Sequence, residues 1–426
     1  MRSQTPKHLH PLLGRRLVDW VAEAARGVDA EPLVIVAAPD YAGAFDRVAV
    51  AIQEQPRGTG DALAAARSAL DGAAEVLVLA GDAPLLRNET LRALVETHRA
   101  ADAAATVLTS RREHPGDYGR IVRADDGSIR AIVEATDASD DELAIDEVNS
   151  SIYVFAADRL WPALERIDRA NAQGELYLTD AVRALVEEGA KVIAHEGDVR
   201  DAEGVNTRVE LAAAAAELRG RINEQHMLAG VTIVDPAATW IEPSVELEAD
   251  ATIHPFTVLR GRTRVAAGAE VGPHAVAIDA EIGPGVVVGP FCYLRPGTVL
   301  EANAKAGTFV EIKNSRIGAR TKVPHLSYIG DAEIGEDTNV AAGNITVNFP
   351  HEPGKPKSRT TIGANVRTGV QNAFVAPVEI GEGAWIAAGS VITEDVPPGA
   401  LAVARARQEN KEGYATGGDS GADDDD

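Results

Sequence analysis

The chain has 426 residues, enough for two or three domains with full cores, and only 4% of them are aromatic. Its formal net charge of −24 argues against nucleic acid or an anionic membrane as a partner, because this surface would repel both. A small anionic substrate remains possible where Lys and Arg converge. Cys292 is the one cysteine, so no internal disulfide can form and a reducing cytoplasm is expected. The basic N-terminus lacks an apolar signal core, and no apolar run is long enough for a membrane span.

The first half of the chain alternates between strand-like and helical patterns. Strands are predicted at residues 33–38, 48–52, 76–80 and 105–108, and helices at 61–70 and 89–99. This alternation predicts a Rossmann-like α/β domain with a mostly parallel sheet over residues 1–206. A linker helix is predicted at 207–229, where Leu211, Leu218 and Ile222 recur at helical spacing.

The second half carries an aliphatic residue at every sixth position, with single-residue slips. The inward residues predicted from this period are Ile253, Leu259, Val265, Val271, Ile282, Val288, Leu294, Leu300, Ala306, Ile312, Ile317, Val323, Ile329, Ile334, Val340, Ile362, Thr368, Phe374, Ile380, Ile386 and Ile392. The period predicts a hexapeptide-repeat parallel β-helix over residues 230–407, and it persists too long for ordinary strands and turns. Gly follows the inward residue at positions 272, 283, 289, 318, 335, 363 and 381, where we expect corners with unusual backbone angles. Residues 408–426, which end in DDDD, are predicted to be a disordered acidic tail.

A first group of polar residues follows the strands of the α/β domain. Asp82 comes directly after the strand predicted at 76–80, and ligands of open α/β sheets bind beyond the carboxyl ends of strands. An Asp at such a point can hold Mg²⁺ against phosphate oxygens. A Gly-Asp turn that merely ends a buried strand is at least as common. Upstream, the Gly residues of segment 53–62 would let backbone N–H groups approach a base or a phosphate.

Further motifs follow in an order that resembles a known family. They are Tyr118-Gly119-Arg120, Ile132-Val133-Glu134, Glu147-Val148-Asn149, Tyr177-Leu178-Thr179-Asp180 and Gly204-Val205-Asn206. Together with the two motifs above, they resemble the sugar nucleotidyltransferase domain of the GlmU family. In that family an N-acetylglucosamine-1-phosphate uridyltransferase is joined to a glucosamine-1-phosphate N-acetyltransferase, whose β-helix is left-handed. The resemblance extends from Met1 to about Arg407.

The resemblance implies a role for each matching residue in the nucleotidyltransferase half. It implies that Lys7 contacts the triphosphate of UTP and that Gln53, Gly58 and Thr59 hold the uracil. It also implies that Gly119, Glu134 and Asn149 hold the sugar, and that Asp82 and Asn206 bind Mg²⁺ beside the nucleotide. The family also has a strand and a Gly-rich L-A-A-G-x-G-T-R-M loop before these motifs. Met1-Arg2-Ser3 aligns with the end of that loop, so we expect either a misassigned start or a poor uridyltransferase. We favour the misassigned start, because the other nucleotide-site residues are present.

A second group of polar residues interrupts the repeats of the β-helix. His325 and Tyr328 are titratable rings within the apolar pattern, although a lone His is usually structural or merely exposed. Arg295 and Lys313 are eighteen residues apart, one predicted coil, so they should stack on one side, with His325 two sides further round. Two stacked cations suit a sugar phosphate, and Arg can bind it through two hydrogen bonds. Ordinary surface charge is the alternative interpretation.

This second group is similar to the acetyltransferase half of the same family. The resemblance implies that Arg295 and Lys313 bind the phosphate of glucosamine-1-phosphate, that His325 is the general base, and that Tyr328 and Asn339 position the sugar. The residues implied to line the acetyl-CoA site are Ala342, Asn348, Phe349, Val370, Ala388 and Arg405. A base is needed because an ammonium cannot attack a thioester, whereas a neutral imidazole can take the amine proton. Backbone N–H groups would meet the developing oxyanion charge.

Some positions depart from the family pattern. The family usually has Lys at the position of Thr136, Tyr at that of Phe349 and Ser at that of Val370. The loop 351–357 is slightly longer than usual, and its Lys355 and Lys357 are either CoA phosphate contacts or, more simply, solvated surface residues. These changes bear on CoA affinity more than on catalysis.

The resemblance implies an enzyme that makes UDP-N-acetylglucosamine for cell-wall precursors. Its substrates would be UTP, glucosamine-1-phosphate, N-acetylglucosamine-1-phosphate and acetyl-CoA, with Mg²⁺ as the cofactor. Family members are trimers, so we expect a cytoplasmic homotrimer whose neighbours contribute Asn339 and some of the CoA-binding residues. Two alternatives stay open: an acetyltransferase with a degenerate N-terminal domain, and a non-catalytic scaffold or nucleotide sensor. The residue set around His325 argues against the latter.

Overall fold

A computed structural model describes residues 1–46, 48–350 and 354–416, and it divides the chain into two units, Met1–Leu218 and Arg219–Asp426. Three residues of the long loop (351–353) and most of the predicted acidic tail (417–426) lie outside the described residues. The α-helix Arg208–Leu228 lies where the linker helix is predicted. Across the described ranges, none of the helices is both long and apolar enough to span a membrane.

The first unit has the α/β alternation that the sequence predicts. Its helices are Leu17–Arg26, Thr59–Ala65, Asn88–Ala101, Asp140–Leu143, Ala157–Leu164 and Leu178–Glu187, with 3-10 turns at Lys7–Leu9, Pro39–Ala44 and Arg67–Leu70. Its strands are Pro11–Leu12, Arg15–Arg16, Val34–Ala37, Ala49–Ile52, Glu75–Val78, Ala105–Arg111, Arg120–Arg123, Ile129–Val133, Glu147–Ala156 and Val192–Glu196. The predicted helix at 61–70 is divided into an α-helix and a 3-10 turn.

The long strand Glu147–Ala156 organises the main sheet of this unit. It pairs antiparallel with Glu75–Val78, Ala105–Arg111 and Arg120–Arg123, while Val192–Glu196 adds to the sheet in parallel. The strands Val34–Ala37 and Ala49–Ile52 form a separate parallel pair. Phe155, Leu160 and Leu185 are fully buried in the cluster between this sheet and its helices.

The second unit is a parallel β-helix with three faces. The first face consists of Thr232–Ile233, Thr252–Ile253, Glu270–Val271, Val287–Val288, Lys305–Thr308 and Lys322–His325, and, beyond Asn339, Arg367–Thr368, Trp385–Ile386 and Leu401–Ala402. The second consists of Trp240–Ile241, Val258–Arg260, Val276–Ile278, Tyr293–Leu294, Glu311–Lys313, Tyr328–Gly330, Ile345–Val347, Ala373–Val375 and Val391–Ile392. The third consists of Glu246–Leu247, Arg264–Val265, Glu281–Ile282, Val299–Leu300, Arg316–Ile317, Ala332–Ile334, Thr360–Ile362 and Val378–Ile380.

The inward residues of the β-helix are the ones that the six-residue period predicts. All of them are buried, and none is more than 7% exposed. Small and branched side chains fill this interior, which explains how a chain with 4% aromatic residues can still build a full core. Cys292 is also buried, and burial raises the pKa of its thiol to about 12, so the thiol stays protonated at neutral pH.

The glycines that follow inward residues are required for two different structural reasons. Gly272 and Gly289 have φ values of +107° and +108°, as the prediction of unusual corner angles requires. The prediction is wrong at positions 283, 318, 335, 363 and 381, where φ is not in the positive range. There the next coil approaches so closely that a Cβ has no room. A Cβ on Gly335 would lie 2.5 Å from the backbone N of Ala364, and one on Gly318 would lie 2.6 Å from that of Glu336.

An exposed ladder of rings runs along the corner between the first and second faces. Its members are Phe256, His274, Phe291 and Phe309, whose neighbouring ring centroids are 4.7, 4.8 and 5.2 Å apart. The spacing matches the separation of adjacent coils, about 4.8 Å, so each ring stacks on the next. Leu326 occupies the following position of the same corner, with a positive φ of 49° like the ring residues before it.

Within the described part of the β-helix, the chain leaves the regular coil after the strand Ile345–Val347, and the next strand begins at Thr360. Thr360–Ile362 nevertheless pairs directly with Ala332–Ile334, so the register of the third face is unchanged. Ser358 donates a backbone hydrogen bond of 3.3 Å to the carbonyl of Asn348, which brings the two ends of the segment together.

Gly335→Ala should destabilise the β-helix, because the added methyl must push the coil at Ala364 away. We expect the free energy of unfolding to fall by about 1–3 kcal/mol, the usual cost of overpacking. Gly220→Ala is the matched control, because nothing lies within 4 Å of its Cβ position and it lies in a helix, where Ala is favoured. Thermal unfolding of both variants measures the difference. Equal stability of Gly335→Ala and the wild type would contradict the close-approach explanation.

Candidate active sites

Three predicted residues of the nucleotidyltransferase half meet at one point. The ammonium of Lys7 forms an ion pair with Asp82, and it donates a 2.7 Å hydrogen bond to Oδ1 of Asn206. Oxygen atoms of Asp82 and Asn206 therefore converge on a single positive charge. Hard oxygen donors in this arrangement suit Mg²⁺.

The chain places these oxygens through short backbone contacts. Asp82 follows the strand Glu75–Val78, and its carbonyl accepts a 2.9 Å hydrogen bond from the N–H of Val205, next to Asn206. Among the described residues, no group of three or more His, Cys, Asp or Glu side chains could hold a metal. A metal here would have two protein ligands and would take its others from phosphates and water, which is how Mg²⁺ is commonly bound.

The predicted uracil-binding residues lie together at the start of the helix Thr59–Ala65. Gly58 has a φ of +119°, and a Cβ on it would collide with the backbone of Leu176. The N–H of Leu178 donates a 3.0 Å hydrogen bond to Oγ1 of Thr59. Nε2 of Gln53 donates to the carbonyl of Gly58 at 3.2 Å and to Oδ2 of Asp61 at 2.9 Å.

The predicted sugar-binding residues form a second group near this helix. The N–H of Asn149 donates a 2.8 Å hydrogen bond to the carbonyl of Gly119, and the amide of Asn149 donates one of 2.7 Å to the hydroxyl of Tyr153. The hydroxyl of Thr179 donates a 3.2 Å hydrogen bond to the carboxylate of Glu134. Burial raises the pKa values of Glu134 and of the completely buried Tyr153.

Direct contacts connect the three groups. Thr59 contacts Leu178, which is adjacent to Thr179 of the sugar group. At the other end, the N–H of Gly204 donates a 3.3 Å hydrogen bond to the hydroxyl of Tyr118, which precedes Gly119. Hydrogen bonds therefore connect the three groups of predicted residues.

The two predicted cations of the β-helix stack in neighbouring coils, as the spacing predicts. Tyr293–Leu294 pairs with Glu311–Ile312, and the N–H of Arg295 donates a 2.8 Å hydrogen bond to the carbonyl of Ile312, so Arg295 lies beside Lys313. The guanidinium of Arg295 also forms a 2.8 Å ion pair with Glu311, which raises the pKa of Arg295. An anion that binds Arg295 must therefore share it with Glu311.

A network of amides and one carboxylate lies beside Lys313. Asp331 accepts a hydrogen bond of 2.5 Å from the amide of Asn314 and a second from the amide of Asn348. The amide of Asn348 also donates to the hydroxyl of Tyr328 at 3.4 Å. A Cβ at position 330 would collide with the Tyr328 hydroxyl and come within 2.7 Å of the Asn348 amide, so both side chains would have to shift to admit it.

A third cation joins the group from the loop after Asn348. Lys357 lies so close to Lys313 that the hydrogen bond and the charge of Lys313 lower the pKa of Lys357. Its ammonium is 5.8 Å from the ring centroid of Phe349, a cation–π distance. Lys357 is exposed, yet its neighbours are those of the predicted phosphate site. A cleft of about 200 Å³ beside it is lined by Val347, Phe349, Pro350, Lys355, Ser358, Val375 and Ala376.

The remaining predicted residues form a column on the adjoining face. The hydrogen bonds that define it run from Gly343 N to His325 O at 3.3 Å, from Gln371 N to Ala342 O at 2.8 Å, and from Gly389 N to Val370 O at 2.9 Å. His325, Ala342, Val370 and Ala388 therefore occupy equivalent positions just before the corner. The side chain of Arg405 lies 3.8 Å from the Cβ position of Gly389. Asn339 lies on the face of His325, bridged to Lys322 and Arg367.

The structure brings together more than the sequence pattern identifies. Asp331 and Asn314 are not predicted, although both stand at positive-φ corners that the period does not mark. Asp61 and Thr179 also go unpredicted, although both belong to motifs quoted from the sequence. His325 and Asn339 lie on a different face from Lys313 and Tyr328, so the predicted catalytic set is divided by one corner of the β-helix.

Comparisons with known proteins agree with this arrangement. Residues 1–192 match the family model of the MobA-like NTP transferase domain. The bifunctional protein GlmU of Streptomyces coelicolor is 48% identical over 441 residues, covering 97% of this chain and 91% of the relative. The GlmU of Mycolicibacterium vanbaalenii is 46% identical over 450 residues, with coverage of 98% and 90%. That of Mycobacterium tuberculosis is 46% identical over 444 residues, with coverage of 97% and 89%.

The fold and the sites define a sugar nucleotidyltransferase domain joined to a hexapeptide-repeat, left-handed β-helix of the acyltransferase type. The predicted fold class is thereby confirmed, although most strand pairs of the main sheet in the α/β unit are antiparallel and not parallel. Identity at this level along almost the entire chain shows more than a shared fold. The chain belongs to the family of the bifunctional protein GlmU.

Asp331→Asn should weaken the β-helix in a pH-dependent way. Burial raises the pKa of Asp331, but the hydrogen bonds from Asn314 and Asn348 and the charges of Lys313 and Lys357 outweigh it and leave the pKa below its ordinary value of 3.8. A lowered pKa means that the carboxylate stabilises the fold above the ordinary value and loses this effect as the pH falls through the folded-state pKa.

We therefore expect the wild type to be more stable than Asp331→Asn by about 1–3 kcal/mol at pH 7, the usual contribution of hydrogen bonds to a charged group. The gap should shrink as the pH falls below the ordinary pKa. Unfolding curves at several pH values measure it, with Glu333→Gln as a control for an exposed carboxylate in the adjacent strand. A gap that stays constant with pH would contradict the assigned role.

Proposed function

We propose that this chain makes UDP-N-acetylglucosamine in two steps. The β-helix transfers the acetyl group of acetyl-CoA to glucosamine-1-phosphate, and the α/β domain transfers UMP from UTP to the resulting N-acetylglucosamine-1-phosphate, releasing pyrophosphate. The observation that carries the proposal is the assembly of both residue sets in one chain. Asp82 and Asn206 converge on one cation, and Lys313 and Tyr328 adjoin the Asp331 network.

In acetyl transfer, Arg295 and Lys313 would hold the phosphate of the acceptor, and Lys357 supports the same task by its position beside Lys313. Tyr328 and Asn339 would orient the sugar. His325 would take a proton from the amine as its nitrogen attacks the thioester carbonyl, and the C–S bond would then break to release CoA as its thiol. The column of Ala342, Val370 and Ala388, together with Asn348, Phe349 and Arg405, would hold the CoA.

In uridylyl transfer, Gln53, Gly58 and Thr59 would hold the uracil, and Gly119, Glu134 and Asn149 the sugar. Lys7 would offset the charge of the triphosphate. Asp82 and Asn206 would hold Mg²⁺, which when bound neutralises charge on the phosphates and aligns them. Holding both reactants in one continuous site converts a bimolecular reaction into an effectively unimolecular one.

We also propose a homotrimer that works in the cytoplasm, where UTP and acetyl-CoA are made. The support is the family and the exposure of several predicted residues: His325 and Phe349 are exposed, and Val370 is 46% exposed. A neighbouring subunit would complete the CoA site, supplying Asn339 and part of the CoA-binding set.

His325→Ala should lower the rate of acetyl transfer by roughly 10²–10⁴-fold, the usual contribution of a general base, and spare uridylyl transfer. Asp82→Ala should do the reverse, because it removes a proposed ligand of Mg²⁺. The two rates are measured separately, by thiol release from acetyl-CoA and by pyrophosphate release from UTP. His254→Ala is a control for another histidine of the β-helix.

Each failure has a distinct meaning. Unchanged acetylation in His325→Ala would remove the proposed base. If the wild type acetylates but releases no pyrophosphate from UTP, the chain is an acetyltransferase only. If it has neither activity, the chain is a scaffold or a nucleotide sensor.

Light scattering of the purified protein should give three times the mass of one 44.7 kDa chain. We expect acetyl transfer to be lost when the oligomer dissociates on dilution, because the CoA site would then lack its neighbour. Uridylyl transfer, confined to one α/β domain, should persist and serves as the internal control. A monomer with full acetyl transfer would contradict the proposal.

A further inference from the structure

The amide of Gln53 is held by two acceptors at once. Its Nε2 donates to Oδ2 of Asp61 at 2.9 Å and to the carbonyl of Gly58 at 3.2 Å. We infer that Asp61 is a positioning residue that fixes the orientation of the Gln53 amide and thereby makes the site select uracil over cytosine. This inference rests on the proposed uridylyl transfer and deepens it.

The chemistry of the partners allows only one orientation of the amide. An ionised carboxylate and a backbone carbonyl accept hydrogen bonds and cannot donate them. If the amide were flipped, Oε1 of Gln53 would face two acceptor oxygens with no hydrogen between them. Such an arrangement forfeits two hydrogen bonds, one of them to a charged group, so Asp61 makes the flipped state unfavourable.

The fixed orientation leaves Oε1 as the atom that can recognise a base. Among the described residues, no donor is bonded to Oε1 of Gln53. An acceptor at this point requires a donor on the ligand. Uracil has an N–H at ring position 3, whereas cytosine has an unprotonated nitrogen there, which would face Oε1 as a second acceptor.

The backbone around the pair is firmly placed. The N–H of Gly60 donates a 2.8 Å hydrogen bond to the carbonyl of Leu176, and the N–H of Leu176 donates one of 2.7 Å to the carbonyl of Arg57. The N–H of Gln53 itself donates to the carbonyl of Ala37 at 2.9 Å. The backbone that carries Gln53 and Asp61 is therefore tied at both ends of the loop, and the two hydrogen bonds of Nε2 oppose rotation of the amide.

Asp61→Asn and Asp61→Ala test the inference through the ratio of UTP to CTP. Asn at position 61 can donate as well as accept, and Ala does neither, so in both variants only the carbonyl of Gly58 still opposes the flipped amide. We expect the ratio of dissociation constants for CTP and UTP, measured by calorimetry on the full chain with Mg²⁺, to fall by roughly 10–100-fold. In the uridylyl-transfer reaction, the variants should change the KM for the nucleotide more than kcat, because the amide contacts the base and not the reacting phosphates.

Glu54→Gln is the matched control, since it removes an exposed carboxylate from the same loop, and it should leave the ratio unchanged. A ratio unaltered in both Asp61 variants would overturn the inference. So would an equal fall in Glu54→Gln, which would indicate a general effect of charge. If the wild type binds UTP but releases no pyrophosphate from it, the proposed reaction fails while the binding ratio still decides the role of Asp61.

Discussion

The hydrogen bonds between successive coils are the constraint on which the acetyl-transfer site depends. Each coil repeats the register of the one before it, so a residue is placed by its position within the coil and hardly by its neighbours in sequence. His325 and Ala342 are seventeen residues apart but occupy equivalent positions, because the N–H of Gly343 bonds to the carbonyl of His325. The same rule puts Arg295 beside Lys313.

Carboxylates give the molecule a second organising principle, because they accept hydrogen bonds and never donate them while ionised. Asp331 orients the amides of Asn314 and Asn348, and Asp61 orients that of Gln53. Asp82 holds the ammonium of Lys7. In each case the carboxylate orients a side chain that is predicted to contact a substrate, or a side chain next to such a residue.

Much of the β-helix could be predicted from sequence because its interior obeys a period. The period identifies the buried residues correctly, but it cannot distinguish a glycine needed for its φ, such as Gly272, from one needed for close approach, such as Gly335. It also says little about corners, where Asn314 and Asp331 are found. Asn314, Asp331 and Asn348 follow one another at intervals of seventeen residues, one coil, so their stacking agrees with the spacing once the corners are known. Lys357 follows Asn348 through a loop of irregular length, so spacing alone could not show that it joins them.

In the α/β unit, motifs indicate which residues matter but not how they pair. Gln53 and Asp61 belong to one segment, yet only the turn at Gly58 brings them into contact. Likewise, the stacking of Arg295 is predictable from the spacing, whereas its ion pair with Glu311 requires a knowledge of rotamers.

The exit of the chain after Asn348 has a consequence for how such a protein can change. Coils of seventeen and eighteen residues both stay in register, as between Val265 and Ile282 and between Ile282 and Leu300, so a corner can absorb a single residue. A longer insertion inside a coil would displace the later columns, and the two halves of a site would lose their alignment. Residues added between Asn348 and Thr360 leave the strands on either side in place, since Thr360–Ile362 still pairs with Ala332–Ile334. This segment also supplies Lys357 and Phe349, which contact each other. Among the described parts of the β-helix, it is therefore a point where a change of length can alter what is bound and still leave the columns aligned.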